Sequence, residues 1–597
     1  MKTKYILCSI AALMMTPVFV CCSDSYLDET PLTSITVETA TGSEEGAMSA
    51  VAGLARQMQQ QYSDLKNGNM NFSGETNLAH WFGDALGPDD NVGEVTNYMR
   101  SSVAPVNFRY ATGWWPAWMY NYAYSIIFMA NSILSDLDEN SAKSNEQWIV
   151  ASALTMRAHA YCRLMQVFAP RWKDSNNGNA YCIILRLATG EPNDKPFNTC
   201  NEVYDQMYSD LNKAISLFES SKSDINRGSQ LFFVDENIAR GIFARLALLK
   251  DDYATAQKMA HDARQKYPIM SQKDYLSGFS TINDEWMWAP AQDYLGIYYW
   301  GFGPHYACNG HYVNSWGYSD SMQYDLYKHF SATDVRAQLY FGPLCVQYEP
   351  EMAKGWEVTN PDYKNDTDSP NEPKTIIVDI TEDEFFNPKN YTSTTYGISI
   401  TSSGTSPVGV PAAMWGFIKK YGKRFAQYRP EDIKGIYPTN SKGLSFGVQY
   451  KFQGLPDGYT SCWSPYMRGA EMLLIEAEAA YQNGDPGTAV SCINELMAQR
   501  DPEYKIPATS GQALFDEIKL QRRLELFGEG FNWFDYKRWN DVIEYKTLDK
   551  NDIKNSGSYP TTVAATYQPD YMMGWRAAIP QSEFNNNKLA NPADVGQ

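Results

Sequence analysis

In three stretches of this chain, apolar residues recur at helical spacing, with alanine where a neighbouring helix must come closest. This pairing limits the possible folds more than any other feature of the sequence. Between Ile238 and Arg264, Ala239, Ile242, Phe243, Leu246 and Leu249 define one helix; a turn at Asp251-Asp252 follows, and Ala256, Ala260 and Ala263 then fall on one face of a second helix. Small side chains on that face let the two helices lie close together. The same plan recurs from Tyr466 to Arg500. There Leu473, Leu474, Ala477 and Ala480 precede the turn Gly484-Asp485-Pro486-Gly487, after which Ala489, Ile493 and Leu496 follow at helical spacing, with Pro486 suited to the opening turn. A third pair is interrupted: Asn145 to Phe168 carries Ala153, Met156, Ala160, Leu164 and Val167 on one stripe, and its partner, Tyr204 to Phe218, arrives after a polar loop. Tyr120 to Leu137 reads as a further helix, with Ile126, Ile127, Ala130, Ile133 and Leu134 inward and a neighbour starting near Glu44.

Helix pairs that cannot bury their faces alone stack on one another, which is the packing logic of tetratricopeptide repeats. The expected fold is therefore mainly α: a tetratricopeptide-like helical repeat scaffold over about residues 44–264 and 466–545, with a large irregular loop-rich region at about 267–459 and a few short strands, such as Thr375 to Asp379 and Gly447 to Phe452. The competing reading is an irregular α-protein in which the alanines fall by chance. A long irregular stretch inside a globular chain is usually functional.

The chain begins with Lys2 and Lys4, an apolar run from Tyr5 to Val20, and Cys21-Cys22-Ser23-Asp24. The run is shorter than the roughly 20 residues that cross a bilayer as a helix, so residues 1–21 are expected to be a lipoprotein leader that is cut off, leaving 22–597. A lipidated thiol needs a small residue before it; Cys22 follows Cys21, whereas Cys21 follows the branched Val20, so Cys22 is the expected lipidation site. Its acyl chains, at about 0.8 kcal/mol per buried methylene, would hold the protein on a membrane. An ordinary secretory signal with incidental cysteines is the alternative. After Cys22 seven cysteines remain, Cys162, Cys182, Cys200, Cys308, Cys345, Cys462 and Cys492. Cys162 and Cys492 lie in helical patterns as small buried hydrophobes, while one disulfide among the loop cysteines, such as Cys182 with Cys200, stays open.

A net charge of −19 over 597 residues, with no basic stripe, argues against a nucleic-acid partner. Catalytic constellations are mostly missing. The six histidines show no HExxH spacing, His305 and His311 being the one close loop pair; no GxSxG elbow or Walker loop occurs, and Gly301-Phe302-Gly303 lacks a third glycine. No cofactor or metal is implied. Paired carboxylates such as Asp89-Asp90 leave a glycosidase open without pointing to one. Aromatic residues make up 14% of the chain, more than a core usually recruits, and they interleave with polar residues in two places. The first is Trp81, Asp84, Asp89, Asn91, Asn97, Tyr98, Trp114, Trp115 and Trp118; the second runs from Trp286 and Trp288 through Tyr294, Tyr298, Tyr299, Trp300, His311, Tyr312, Asn314 and Trp316 to Tyr318. Flat rings beside amides and carboxylates suit sugars, whose C–H faces stack while their hydroxyls take hydrogen bonds. The candidate ligand-binding residues are Trp81, Asn91, Tyr98, Tyr299, Trp300, Asn314 and Trp316, against the competing reading that such rings fill a core.

The C-terminal third is more specific. Gln521-Arg522-Arg523-Leu524-Glu525-Leu526, followed by Phe527-Gly528-Glu529-Gly530-Phe531-Asn532-Trp533-Phe534-Asp535-Tyr536-Lys537-Arg538-Trp539, closely resembles the signature of the SusD/RagB family of surface lipoproteins. Tyr466-Met467-Arg468 through Glu471 to Ala479, the ending Ile579-Pro580-Gln581 with Asn591-Pro592, and the opening Cys22-Ser23-Asp24 with Tyr26 to Pro31 agree with it. The resemblance implies a lipid-anchored, cell-surface, outer-membrane protein that binds an oligosaccharide and passes it to a SusC-like TonB-dependent transporter. It also implies binding rather than catalysis, with the ligand site in the loops. An oligopeptide ligand, a glycosidase and a purely structural transporter subunit are the alternatives. Within the block itself a scaffolding role is expected, with Arg523, Glu525 and Glu529 forming ion pairs along a helix and Leu524, Phe527, Phe531, Trp533, Phe534 and Trp539 packing inward.

Overall fold

The computed structural model describes residues 37–59, 72–91, 110–221, 230–291, 321–340, 451–454, 464–546 and 575–597, apart from single positions, together with short pieces at 61–62, 225–228, 306–307, 356–359, 375–378 and 565–567 and isolated positions such as 449 and 462. Ten helices carry the architecture: α1 (Glu44–Gln59), α2 (Trp114–Asp136), α3 (Ser144–Phe168), α4 (Cys200–Ser220), α5 (Glu236–Leu249), α6 (Tyr253–Arg264), α7 (Gly469–Gln482), α8 (Pro486–Ala498), α9 (Gly511–Glu525) and α10 (Asn532–Trp539). Strands are short and paired: β1 (Asp90–Asn91), β2 (Trp286–Trp288), β3 (Ser321–Met322), β4 (Trp356–Thr359), β5 (Thr375–Val378), β6 (Met467–Arg468), β7 (Ile543–Tyr545) and β8 (Ala565–Tyr567). The protein is mainly α, as expected.

Helix starts follow local chemistry. The Thr199 hydroxyl accepts from the Glu202 amide and the Glu202 carboxylate takes the Thr199 amide, a reciprocal cap on α4; Asp235, Asp252 and Asp485 cap α5, α6 and α8, with Pro486 at the first turn of α8. Asp251, at φ +57°, makes the turn between α5 and α6, and Ala256, Ala260 and Ala263 are fully buried against α5.

From α2 to α8 each helix packs on the next, and α6 packs directly on α7 although residues 265–468 separate them. The stack therefore runs unbroken past the insert. Three ion pairs close this joint: Arg264 to Glu476 (2.7 Å), Arg264 to Glu495 (2.7 Å) and, buried, Arg245 to Glu471 (2.5 Å). β2 pairs antiparallel with β6, and the Gly469 amide donates to the Glu285 carbonyl (3.0 Å), so both ends of the insert are tied at one point. α1 packs on α2 and α3 through Val51, Leu54 and Met58, the expected neighbour of α2. Burying each such Leu or Val is worth about 1.5–3 kcal/mol. Of the two strand-like pieces expected in the insert, Thr375 to Val378 forms β5 against β4, and Gln449 makes an isolated bridge to Tyr340.

At the end of α3, Lys537 donates to the carbonyls of Gln166 (2.7 Å) and Ala169 (2.7 Å). Burial, with Arg576 nearby, pushes its ammonium down to about 7. Above that pH the folded chain has released a proton that the unfolded chain still holds up to its ordinary value of about 10.4, so stability rises with pH over this window. The expected gain from pH 7 to pH 9 is on the order of 2 kcal/mol by urea unfolding, and Lys537→Met should lose it. An unchanged slope in that variant would reassign the titration.

Candidate functional site

Two segments that lie far apart in the chain, residues 79–91 and residues 321–323 just beyond the second aromatic group, meet in the fold. Ala79–Asp84, carrying Trp81, is a π-helical turn in which the Ala85 amide reaches back to the His80 carbonyl (2.9 Å). Such turns are uncommon and concentrate at functional sites. Its geometry is set by close approach: a Cβ on Gly83 would lie 2.1 Å from the Gly530 carbonyl oxygen, and a Cβ on Gly530 would lie 2.4 Å from that of Ala79. The Gly530 amide donates to Asp84 Oδ2 (2.6 Å) across the same contact. Five residues on, Asp89 accepts from Arg523 Nε (2.8 Å) and Nη2 (2.6 Å) and from the Asn532 side-chain amide. β1 then pairs antiparallel with β3, Asp90 opposite Met322 and Asn91 opposite Ser321, and the Gln323 amide donates to the Asp89 carbonyl (2.9 Å). Asn91 of the first aromatic group thus has its backbone beside the chain just beyond the second.

Burial pushes the Asp84 carboxyl well above its ordinary range, against the pull of the Gly530 amide. Burial also raises Asp90, helped by the nearby Asp84 and Asp89 carboxylates. Asp89 is neutralised by the Arg523 fork. Asp84 and Asp89 hydrogen-bond to the frame, so their chemistry is positioning. Alongside is a polar cavity of about 150 Å³, lined by Asp89, Arg523, Tyr536, Asp325, Glu544 and Lys546 among others, whose charges pair with one another: Lys546 lies 3.2 Å from Asp325 and 3.4 Å from Glu544.

A fully buried ionic cluster anchors the frame from below. Arg468 donates to Glu529 (2.6 and 2.8 Å), to Glu285 (2.7 Å) and to Glu525 (2.9 Å). Arg500 donates to both Glu525 oxygens (3.0 Å each), and Arg336 reaches Asp334 (2.7 Å) and Glu525 (3.5 Å). Lys451 donates to Glu529 and to the carbonyls of Glu525 (2.9 Å) and Phe527 (2.8 Å). These arginines hold the Glu525 carboxyl far below its ordinary range despite burial; Arg468 and Lys451 lower that of Glu529.

Trp81 and Asn91 have their backbones in the first of these segments; their side chains, and all of Tyr98, Tyr299, Trp300, Asn314, Trp316, His305, His311, Gly301 to Gly303 and Cys22, lie outside the described residues. For other members of the two aromatic groups the core reading is correct. Trp115, Trp118, Trp286 and Trp288 are buried, and Trp288 Nε1 donates to the Phe232 carbonyl (3.2 Å). The ion pairs of Arg523, Glu525 and Glu529 run across the fold, not along a helix. Among the described residues no group of three His, Cys, Asp or Glu is placed to hold a metal, and no helix is long and apolar enough to cross a membrane.

Comparison with known proteins agrees with this architecture. Residues 317–591 match the model described as the SusD family, and residues 91–230 match one described as starch-binding associating with outer membrane. A SusD-like protein of Formosa agariphila is 35% identical over 86 residues, 13% of this chain and 17% of that relative, so the chain spans less than a fifth of the curated relative it matches. Among solved structures, a SusD-like carbohydrate binding protein of Bacteroides vulgatus superposes with a TM-score of 0.63 at 19% identity, over 92% of this chain and 98% of that one. A SusD superfamily protein of Bacteroides fragilis gives 0.58 at 17% identity, over 92% and 99%. At these identities the likeness is one of fold.

Proposed function

Since the chain belongs to the SusD family, we propose that it is an outer-membrane surface lipoprotein, anchored through Cys22, that binds oligosaccharides and delivers them to a SusC-like TonB-dependent transporter. It binds and does not catalyse. The observation that carries the reading is the clamped segment: a π turn bearing Trp81 and a two-residue strand bearing Asn91, fixed by Gly530, Arg523 and Asn532 beside the chain just beyond the second aromatic group. A rigid frame under rings and amides suits sugar capture, because ordering the site in advance lowers the entropy lost on binding. The relatives whose names mention carbohydrate or starch support the same ligand class. A tether makes modest affinity sufficient, since the binder stays beside the transporter it serves.

Titration of the chain begun after Cys22 against glycans and peptides tests this reading, with Trp300→Ala and Trp81→Ala beside it. Glycans are expected to bind, and each substitution to weaken them roughly 3–10-fold, the equivalent of about 0.5–1.5 kcal/mol of ring contact. Glycan binding that neither substitution weakens would move the site elsewhere. Peptide binding alone would replace the ligand class, and hydrolysis products would replace binding by catalysis.

A further inference from the structure

Cys182 and Cys200 sit on either side of an isolated antiparallel bridge, Tyr181 opposite Thr199. The backbone holds them there from both directions: the Cys182 amide donates to the Asn198 carbonyl (2.9 Å), the Cys200 amide to the Ala180 carbonyl (2.9 Å), and the Asn198 amide to the Ile183 carbonyl (2.8 Å). Residues flanking one bridge in this way project to the same face. Both thiols are buried, and the Cys182 thiol donates to the Asn198 carbonyl (3.5 Å) on the same bridge. Both are free thiols in the structure.

The two are chemically unequal. Cys200 opens α4, where the helix dipole favours a thiolate, and Lys537 and Arg576 lie within electrostatic reach. The Cys200 thiol is pulled down, first by its interaction with the neighbouring Cys182 thiol, whereas burial pushes the Cys182 thiol up. One is built as an attacking sulfur and the other as its resolving partner.

We propose that Cys182 and Cys200 form a disulfide in the exported protein, stapling the α3–α4 connection to the first turn of α4. The proposal rests on the export reading above for its oxidant, a disulfide-bonded thiol oxidoreductase outside the cytoplasm. The Cys200 thiolate attacks one sulfur of the oxidant's disulfide and expels the other as a thiolate. Cys182 gives its proton to that thiolate and attacks the Cys200 sulfur of the mixed disulfide. The Cys182–Cys200 bond forms as the oxidant leaves reduced, carrying two electrons and, with one proton taken from solvent, two thiols. Because both sulfurs are buried once α4 is seated, the exchange belongs to folding, and the finished bond is shielded from reductant.

The test compares the chain isolated from the cell surface with the chain refolded in a glutathione redox buffer. Each is denatured without reductant, alkylated and mapped by mass spectrometry. The expected result is one cross-linked species joining the peptides of Cys182 and Cys200, two mass units below the reduced form, with the thermal midpoint falling a few degrees on reduction. The C182S/C200S variant should melt like the reduced protein and ignore reductant. Full alkylation of both thiols in surface material and in refolded material overturns the proposal. Recovery of the chain from the cytoplasm alone overturns the export reading instead, and the refolded sample then decides the pair by itself.

Discussion

Glu525→Ala is expected to lower stability by about 3–5 kcal/mol, the range for removing one partner of a buried ion pair. Among the described residues, Arg336, Lys451, Arg468 and Arg500 face Asp334, Glu285, Glu525 and Glu529, four cations against four carboxylates. Deleting one carboxylate leaves an uncompensated positive charge buried in the fold. Removing Asp262 from its exposed pair with Lys258 is the control, expected to cost no more than about 1 kcal/mol. The pH dependence has a definite sign. With the folded-state pKa of Glu525 depressed, its contribution is complete above the ordinary glutamate value and is lost as pH falls from there toward the folded value. Urea unfolding should therefore show the gap between wild type and Glu525→Ala narrowing below about pH 4. A gap independent of pH would mean that the carboxylate charge contributes little.

The second large effect is expected at Gly530. Its φ of +90° disfavours any side chain, and an added methyl would lie 2.4 Å from the Ala79 Cβ and 2.8 Å from its Cα. Backbone strain and overpacking together should cost about 2–5 kcal/mol in Gly530→Ala. Gly190, at φ +75° with nothing within 4 Å of an added Cβ, isolates the backbone part, so Gly190→Ala should cost only about 1–2 kcal/mol. Because the clash pushes on the turn that carries Trp81, glycan affinity should fall in Gly530→Ala at temperatures where the protein remains folded. Equal losses in the two glycine variants would show that the contact with Ala79 is not tight.

The helices were legible because their signals are local. The spacing of Ala256, Ala260 and Ala263, the turn at Asp251-Asp252 and Pro486 after Asp485 each act within one or two turns, and α5, α6 and α8 start and pack accordingly. Docking of α6 on α7 was not legible, because it depends on Arg264 finding Glu476 across the whole insert. Trp286 and Trp288 were grouped with the aromatic loops for a similar reason. A three-residue strand has no period to read, and its partner, Met467–Arg468, lies far along the chain. At the candidate site, Trp81 and Asn91 came from composition alone, while the clamp of Gly530, Arg523 and Asn532 lay inside a block whose ion pairs were expected to run along one helix. Spacing shows that a residue is charged and inward; it does not show which distant carboxylate it meets. The π turn has no signature beyond Gly83, whose missing side chain matters only once Gly530 is known to touch it.

The clamp also fixes when the turn at Ala79–Asp84 and Asp89 can be held together. Asp84 and Gly530 lie 446 positions apart, and Asp89 lies 434 positions from Arg523. Until these positions are brought together, Ala79–Asp84 lacks the glycine it rests against, and Asp89 its arginine. No N-terminal fragment that stops short of Arg523 can complete the clamp, so a prematurely ended chain lacks it.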